Sequence, residues 1–308
     1  MFIIDVDEGK WSKEIIETLL IDRTTNRNII WGTDDYEILG REYDSHYPIL
    51  YSLITGKNSN VIQPRILKTK ESQGKRTKGK AEVFTPSWVC NAQNNLVDNA
   101  WFGGENIFNK EFEKGWKTNT EKIKFPDKKN KTWQKYVDEK RLEITCGEAP
   151  YLVSRYDTVS GEPLELKDRI GMLDRKMRVV CENTDSDTEW LKWSERAFQS
   201  VYGFEFQGDS LLIARENLLA SYCDYMEEKL NRHPTEKELV NIAKIISWNL
   251  WQMDGLTYTI PYEEAVEPFK QVALFDLHEK ERKCLCIIKD WRAKRIYTFQ
   301  DLVHKGGN

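Results

Sequence analysis

Apolar and polar positions change period along the chain, and the changes mark the elements. Between Lys10 and Leu20, the residues Trp11, Ile15, Ile16, Leu19 and Leu20 recur at helical spacing. Asn28 to Trp31 is strand-like, and Thr33-Asp34-Asp35-Tyr36 suits a helix start, where paired acids face exposed N–H groups rather than a metal. Thr85 suits an N-cap and Pro86 the first helical position, ahead of a helix with Trp88, Val89, Leu96 and Val97 near one face and asparagines on the other. Arg141 to Thr145 alternates as a short buried strand, and Gly147 marks a sharp bend or a close approach to a ligand.

Further on, one unit occurs again. An acidic start at Asp185 to Glu189 opens a helix through Trp190, Trp193 and Ala197 to Ser200. Ser200 to Gln207 is a second strand candidate ending in Glu205. Gly208 follows, then a helix with Leu211, Leu212, Ala214, Leu218 and Leu219 at apolar positions. A third apolar run, Ile245 to Met253, follows the amphipathic segment Glu236 to Lys244 and closes on Asp254-Gly255. Cys284 to Lys289 and Arg295 to Phe299 are strand-like.

Two stretches lack such periodicity. Arg65 to Lys80 carries seven cations against Glu71, with glycines at 74 and 79, and predicts a flexible loop: a solvated linker, or an arm that follows a phosphate backbone. Residues 102 to 135 are lysine-rich, with Trp116 and Trp133, and predict an extended surface insertion: a long solvated loop with aromatic anchors, ahead of a basic and aromatic grip on DNA.

Composition changes this picture in two places. The net charge of −4 excludes a protein that coats nucleic acid by bulk electrostatics, though not a local basic patch. The six cysteines (Cys90, Cys146, Cys181, Cys223, Cys284 and Cys286) show no paired spacing; with no signal peptide and no long apolar run, they predict reduced thiols in a cytoplasmic protein. His278, Cys284 and Cys286 form a partial metal set at best, and inward-facing thiols of an alternating strand explain the cysteines better.

Acids at three strand or run ends, Glu143, Glu205 and Asp254, follow Phe84-Thr85-Pro86 in the chain. Together with Thr145-Cys-Gly-Glu-Ala-Pro-Tyr-Leu152, Tyr202-Gly-Phe-Glu205, Ala214-Arg-Glu-Asn-Leu-Leu219 and Trp251-Gln-Met-Asp-Gly255, this order resembles the DNA adenine-N6 methyltransferases. More narrowly, it resembles the modification subunits of bacterial restriction–modification systems. The resemblance implies an α/β, Rossmann-like fold that binds S-adenosylmethionine, with no metal. It implies that Phe84, Thr85 and Pro86 wall the methionine part and that Glu143 and Gly147 form the turn holding it. Glu205 would bind the ribose hydroxyls and Asp254 the adenine amino group.

Two departures stand out. Ala149 occupies a position where the family usually has a second glycine. The family's Asn/Asp-Pro-Pro-Tyr/Phe catalytic loop is missing: Thr259-Ile260-Pro261-Tyr262 stands near its place without the acid or amide and the first proline, so no catalytic residue is assigned. The chain ends soon after Asp254, which favours a split enzyme whose partner chain brings the catalytic loop and DNA target recognition. The expected organisation is an N-terminal α/β extension and basic linker (1–80), a cofactor-binding domain (81–262) with an insertion at about 103–135, and a C-terminal segment (263–308). Val266, Phe269, Val272, Ala273, Leu274 and Phe275 in that segment are candidates for docking a partner. A non-catalytic regulator or scaffold is the alternative. A nicotinamide oxidoreductase is weakened because Gly147 lacks the GxGxxG spacing.

Overall fold

A computed structural model describes residues 10–80, 85–262 and 284–305; Phe84, His278 and the apolar run 266–275 lie outside them. Helix α1 (Lys13–Leu20) buries Ile15, Ile16, Leu19 and Leu20, as its spacing predicts. Asn28 to Trp31 forms isolated bridges rather than a strand. The reason is a side chain: Gln252 accepts from the Ile30 N–H at 2.9 Å and donates to the Ile30 carbonyl at 2.9 Å, taking the place of a ladder. The acids after Thr33 do not open an α-helix, since a single 3₁₀ turn begins only at Glu37 and Asp35 instead pairs with Arg76 at 2.7 Å.

After the short α2 (Tyr51–Ile54), the basic stretch departs from expectation. It is a helix, α3 (Lys70–Lys80), and not a flexible loop. Its Arg76 is buried and bound to Asp209, as is Lys68 just before the helix, at 2.8 and 2.9 Å. Neither cation is therefore spare for a phosphate backbone.

Helix α4 (Ser87–Phe102) has its faces reversed relative to the prediction. Asn91, Asn94, Asn95 and Asp98 are buried, while Trp88, Leu96 and Val97 are exposed, Leu96 by 69%. The hairpin β1 (Asn109–Phe112) and β2 (Gly115–Thr118) then gives the insertion an ordered core, and α5 (Trp133–Asp138) leads to β3 (Arg141–Glu143).

Helices α6 (Met172–Asn183) and α7 (Asp187–Phe198) precede β4 (Val201–Glu205), α8 (Gly208–Leu230), α9 (Glu236–Asn249) and β5 (Leu250–Gln252). The three strands pair in parallel in the order β3-β4-β5, with Leu142 opposite Tyr202 and Phe204 opposite Trp251. Strand β3 is shorter than predicted and inverted in burial: Glu143 is inside, while Leu142 and Ile144 are exposed, Ile144 by 67%. Among the described residues it stands at the sheet's edge, with a strand on one side only.

Crossover helices cover one face of the sheet, as parallel pairing requires. The apolar core there joins α1, α6, α8 and α9. On the other face, Tyr202, Phe204, Trp251 and Met253 pack under Cys286 and Phe299, brought by the antiparallel pair β6 (Ile287–Asp290) and β7 (Arg295–Thr298) and by α10 (Phe299–Lys305). Gly208, at the start of α8, has no alternative: a Cβ there would lie 1.9 Å from the Ile30 carbonyl oxygen. Among the described residues, no helix is long and apolar enough to cross a membrane.

Candidate functional site at the carboxyl ends of the strands

Parallel pairing brings the ends of β3, β4 and β5 to one edge, where Glu143, Glu205 and Asp254 stand at or just beyond the strand ends. The turn after β3 is backbone-strained. Thr145, Gly147 and Ala149 have φ of 47°, 53° and 64°, in the left-handed region that disfavours residues with a Cβ and is rare for a β-branched one. Ala149 thus adopts the conformation a glycine would favour at the position where the resemblance lacks one. A Cβ on Gly147 would meet nothing within 4 Å, so the glycine answers to its backbone angle and leaves open space beside it. Strain of this kind persists only where surrounding contacts hold it.

Those contacts come from the acids. Glu143 is buried and accepts from the Tyr151 and Leu152 N–H groups at 3.2 and 3.1 Å. Burial pushes its carboxyl well above the usual range, against the opposing pull of those two bonds. Glu205 accepts from Gly147 N–H at 2.8 Å through one oxygen, and from Phe206 and Gln207 N–H at 2.9 and 3.1 Å through the other. Burial raises it too, with the three backbone donors acting to lower it. A carboxylate offers about four lone-pair sites. Three of those on Glu205 are in use.

Asp254 stands apart from this hydrogen-bonded group. Its Oδ1 accepts from Leu256 N–H at 2.8 Å and Thr257 N–H at 3.4 Å, while among the described residues nothing donates to Oδ2. The backbone turns back on itself there, with Asp254 N–H donating to the Thr259 carbonyl at 2.8 Å. Tyr262, at the end of the same turn, sets its ring 5.5 Å from Phe206 and 4.1 Å from His46.

Thr85 and Pro86 reach the turn from α4, one residue out of the predicted register. Pro86 is the N-cap, and Ser87 opens the helix with its N–H on Asp157 Oδ2 at 2.6 Å. The Thr85 carbonyl accepts from Thr158 Oγ1 at 3.1 Å. Asn94, from the buried stripe of α4, donates to the carbonyls of Tyr151 and Ile170 at 3.1 and 3.0 Å. Thr85 and Pro86 are therefore fastened to the segment that follows Gly147.

Several positioning residues are not evident from the pattern. Glu148, inside the turn, is buried and accepts from Tyr156 Oη at 2.6 Å and Arg65 N–H at 2.6 Å. Asn217 of α8 donates to the Glu148 carbonyl and to Tyr156 Oη, both at 3.2 Å. Asp209, in the first turn of α8, gathers Tyr36, Lys68 and Arg76, and the two cations hold its carboxyl far below the usual range despite burial. The available signal was a polar residue in an otherwise apolar helix: Asp209, Arg215, Glu216 and Asn217 all interrupt the buried run of α8.

The edge offers carboxylates and backbone N–H groups but no activated nucleophile. Burial pushes the Cys90 and Cys146 thiols upward. Among the described residues, no cluster of His, Cys, Asp and Glu is arranged to hold a metal. The chemistry on hand is that of holding a polyhydroxylated or amino-bearing ligand. Comparison with protein-family models, with curated proteins and with solved structures gave no match to this chain.

Proposed function

We propose that the chain is the S-adenosylmethionine-binding subunit of a DNA adenine-N6 methyltransferase of a restriction–modification system, on a Rossmann-like fold. A second chain would supply the catalytic loop and target recognition. The observation that carries this is the Gly147 N–H to Glu205 bond at 2.8 Å, which joins a strained turn after one parallel strand to the acid ending the next. An acid at the second strand end and a glycine turn at the first are what a ribose-bearing cofactor needs from a doubly wound sheet. Glu205 would take the ribose, releasing Gly147. Asp254, whose Oδ2 has no donor among the described residues, would accept from the adenine amino group, while Thr85 and Pro86 would flank the methionine end.

The cofactor would bring an electrophilic methyl group; this chain binds and orients it. Thr259-Ile260-Pro261-Tyr262 has no side-chain amide or carboxylate with which to hold a target amine, which favours a loop supplied in trans.

The test is calorimetric titration of the full chain with S-adenosylmethionine, followed by transfer of labelled methyl to unmethylated DNA, with and without the product of the adjacent reading frame. Cofactor binding that drops at least about tenfold in Glu205→Ala, with transfer only in the mixture, is the expected result. Absence of cofactor binding by the wild-type chain would overturn the proposal. Transfer by the chain alone would overturn the split arrangement and make 259–262 a working loop.

A further inference from the structure

A large cavity lies away from the strand ends, between the hairpin β1–β2, residues 164–169 and α6, with a volume of about 1180 Å³. Trp116 Nε1 donates to the Asp168 carbonyl at 3.1 Å and Thr118 Oγ1 to the Asp168 carboxylate at 2.6 Å, so the hairpin is fixed in place over the space. Its buried part carries two guanidiniums. Arg175 gives both Nη atoms to Asp98, Asn91 and Asn95, and Arg169 gives Nη2 to Asp224 at 2.7 Å; among the described residues, Arg175 Nε and Arg169 Nη1 have no hydrogen-bond partner. Buried N–H groups left without acceptors are costly unless a ligand or water supplies one.

The exposed part is different. Phe112 lies against Gly115, where a Cβ would stand 2.5 Å from the ring, and the ring remains 62% exposed. Lys114 and Lys117 flank it, and among the described residues neither has an acidic partner. Over the whole lining the charge is nearly balanced, six cations against five carboxylates, and it is the hairpin lysines that tip it positive, in a protein of net charge −4.

A held-out aromatic ring, unpaired lysines beside it and spare guanidinium N–H groups behind it ask for a ligand with a flat ring, a negative charge and several acceptors. We propose that this cavity takes nucleotide units, with a base stacked on Phe112 and phosphate against Lys114 and Lys117. The volume exceeds the roughly 300–1,000 Å³ usual for small-molecule sites, so a unit within a single strand fits better than a free nucleotide, although both share the chemistry. This inference does not rest on the cofactor reading.

The test uses the full chain and two probes: a dye-labelled single-stranded oligodeoxynucleotide, and dAMP as titrant and competitor. Lys114→Glu/Lys117→Glu and Phe112→Ala should each weaken oligonucleotide binding about tenfold or more. Lys128→Glu/Lys129→Glu, an equal charge change on exposed residues outside the cavity lining, should weaken it less than about threefold. Competition by dAMP would assign the site to free nucleotides as well; its failure to compete would assign it to strands. Equal losses in the two charge reversals, or no binding of either probe, would overturn the proposal. Phe112→Ala removes an exposed ring, so its melting temperature should match wild type, which separates a loss of binding from a collapse of the fold.

Discussion

Helices α1 and α4 carry similar shares of apolar residues, yet they bury opposite kinds of face. Helix α1 lies on α8 and α9, whose facing side chains are apolar, and Ile15, Ile16, Leu19 and Leu20 enter one core. Helix α4 faces Arg175 of α6. A guanidinium has five N–H donors and no acceptor, so the helix opposite must offer oxygen atoms. Asn91, Asn95 and Asp98 do so at 2.8, 2.7 and 2.6 Å, and Tyr136 adds a bond to Asp98 at 2.9 Å. The partner decides which stripe of a helix is inside, and a two-faced pattern alone does not name it.

This contrast makes the polar interface the more brittle one. Arg175→Met should destabilise by about 3 kcal/mol, because buried Asp98 then keeps only the Tyr136 hydroxyl at 2.9 Å and Arg141 at 3.6 Å; urea unfolding followed by tryptophan fluorescence measures it. A cost below about 1 kcal/mol would mean that α4 relaxes without its cation. The same logic applies where α3 docks on α8. Asp209→Asn leaves Lys68 facing a neutral group and Arg76 with Asp35 as its remaining carboxylate, and should cost about 3 kcal/mol at neutral pH. Its pH dependence has a definite sign. The folded-state value of Asp209 is depressed by those cations, so the unfolded chain binds the proton first on acidification. The stabilisation is complete above the ordinary aspartate value of about 4 and is lost as pH falls below it. The asparagine variant should therefore lose stability less steeply than wild type below about pH 4. Glu143 has the opposite sign: with backbone donors but no cation its value is raised, and its contribution falls away as pH rises through the folded-state value.

On the apolar side the cost is that of a cavity. Leu19→Ala should destabilise by about 3 kcal/mol with no dependence on pH, since no charge is exposed or stranded. Parallel unfolding curves at acidic and neutral pH check this. A pH-dependent loss would show that α1 also supports the charged contacts of Arg215, whose guanidinium caps the Leu19 and Ile21 carbonyls.

What could be read from the sequence follows the same division. The units β3–turn and β4–turn–α8 were legible because strands that feed buried crossovers are apolar to their ends, so an acid and a glycine there are conspicuous. Helix α9 was legible only to Lys244: the apolar run from Ile245 to Met253 left open where helix gives way to strand, and the helix in fact continues to Asn249 before β5. Strand β3 was misread at its edge, where Leu142 and Ile144 are exposed and Glu143 turns inward to reach the N–H groups of Tyr151 and Leu152. Basic α3 read as a loop because nothing local announces that Arg76 will meet Asp209, more than a hundred residues away. Phe84, part of the expected cofactor wall, lies outside the described residues, so that contact is untouched by the geometry.

The smallest effect is the sharpest test of the reversed helix. Leu96 sits in the middle of α4 on the face that periodicity would place inside, and it is exposed in this arrangement. If the Arg175 interface fixes the helix, Leu96→Ser removes no packed atoms and should change stability by no more than about 0.5 kcal/mol, mostly through helix propensity. Asn94→Ala, on the opposite side, breaks two hydrogen bonds to the carbonyls of Tyr151 and Ile170 and should cost about 1–2 kcal/mol. A leucine that costs more than the asparagine would turn α4 over and remove the anchor of Thr85 and Pro86 beside the turn. A near-neutral Leu96→Ser leaves a second consequence: Trp88, Leu96 and Val97 then form an apolar stripe in water whose retention stability alone does not explain.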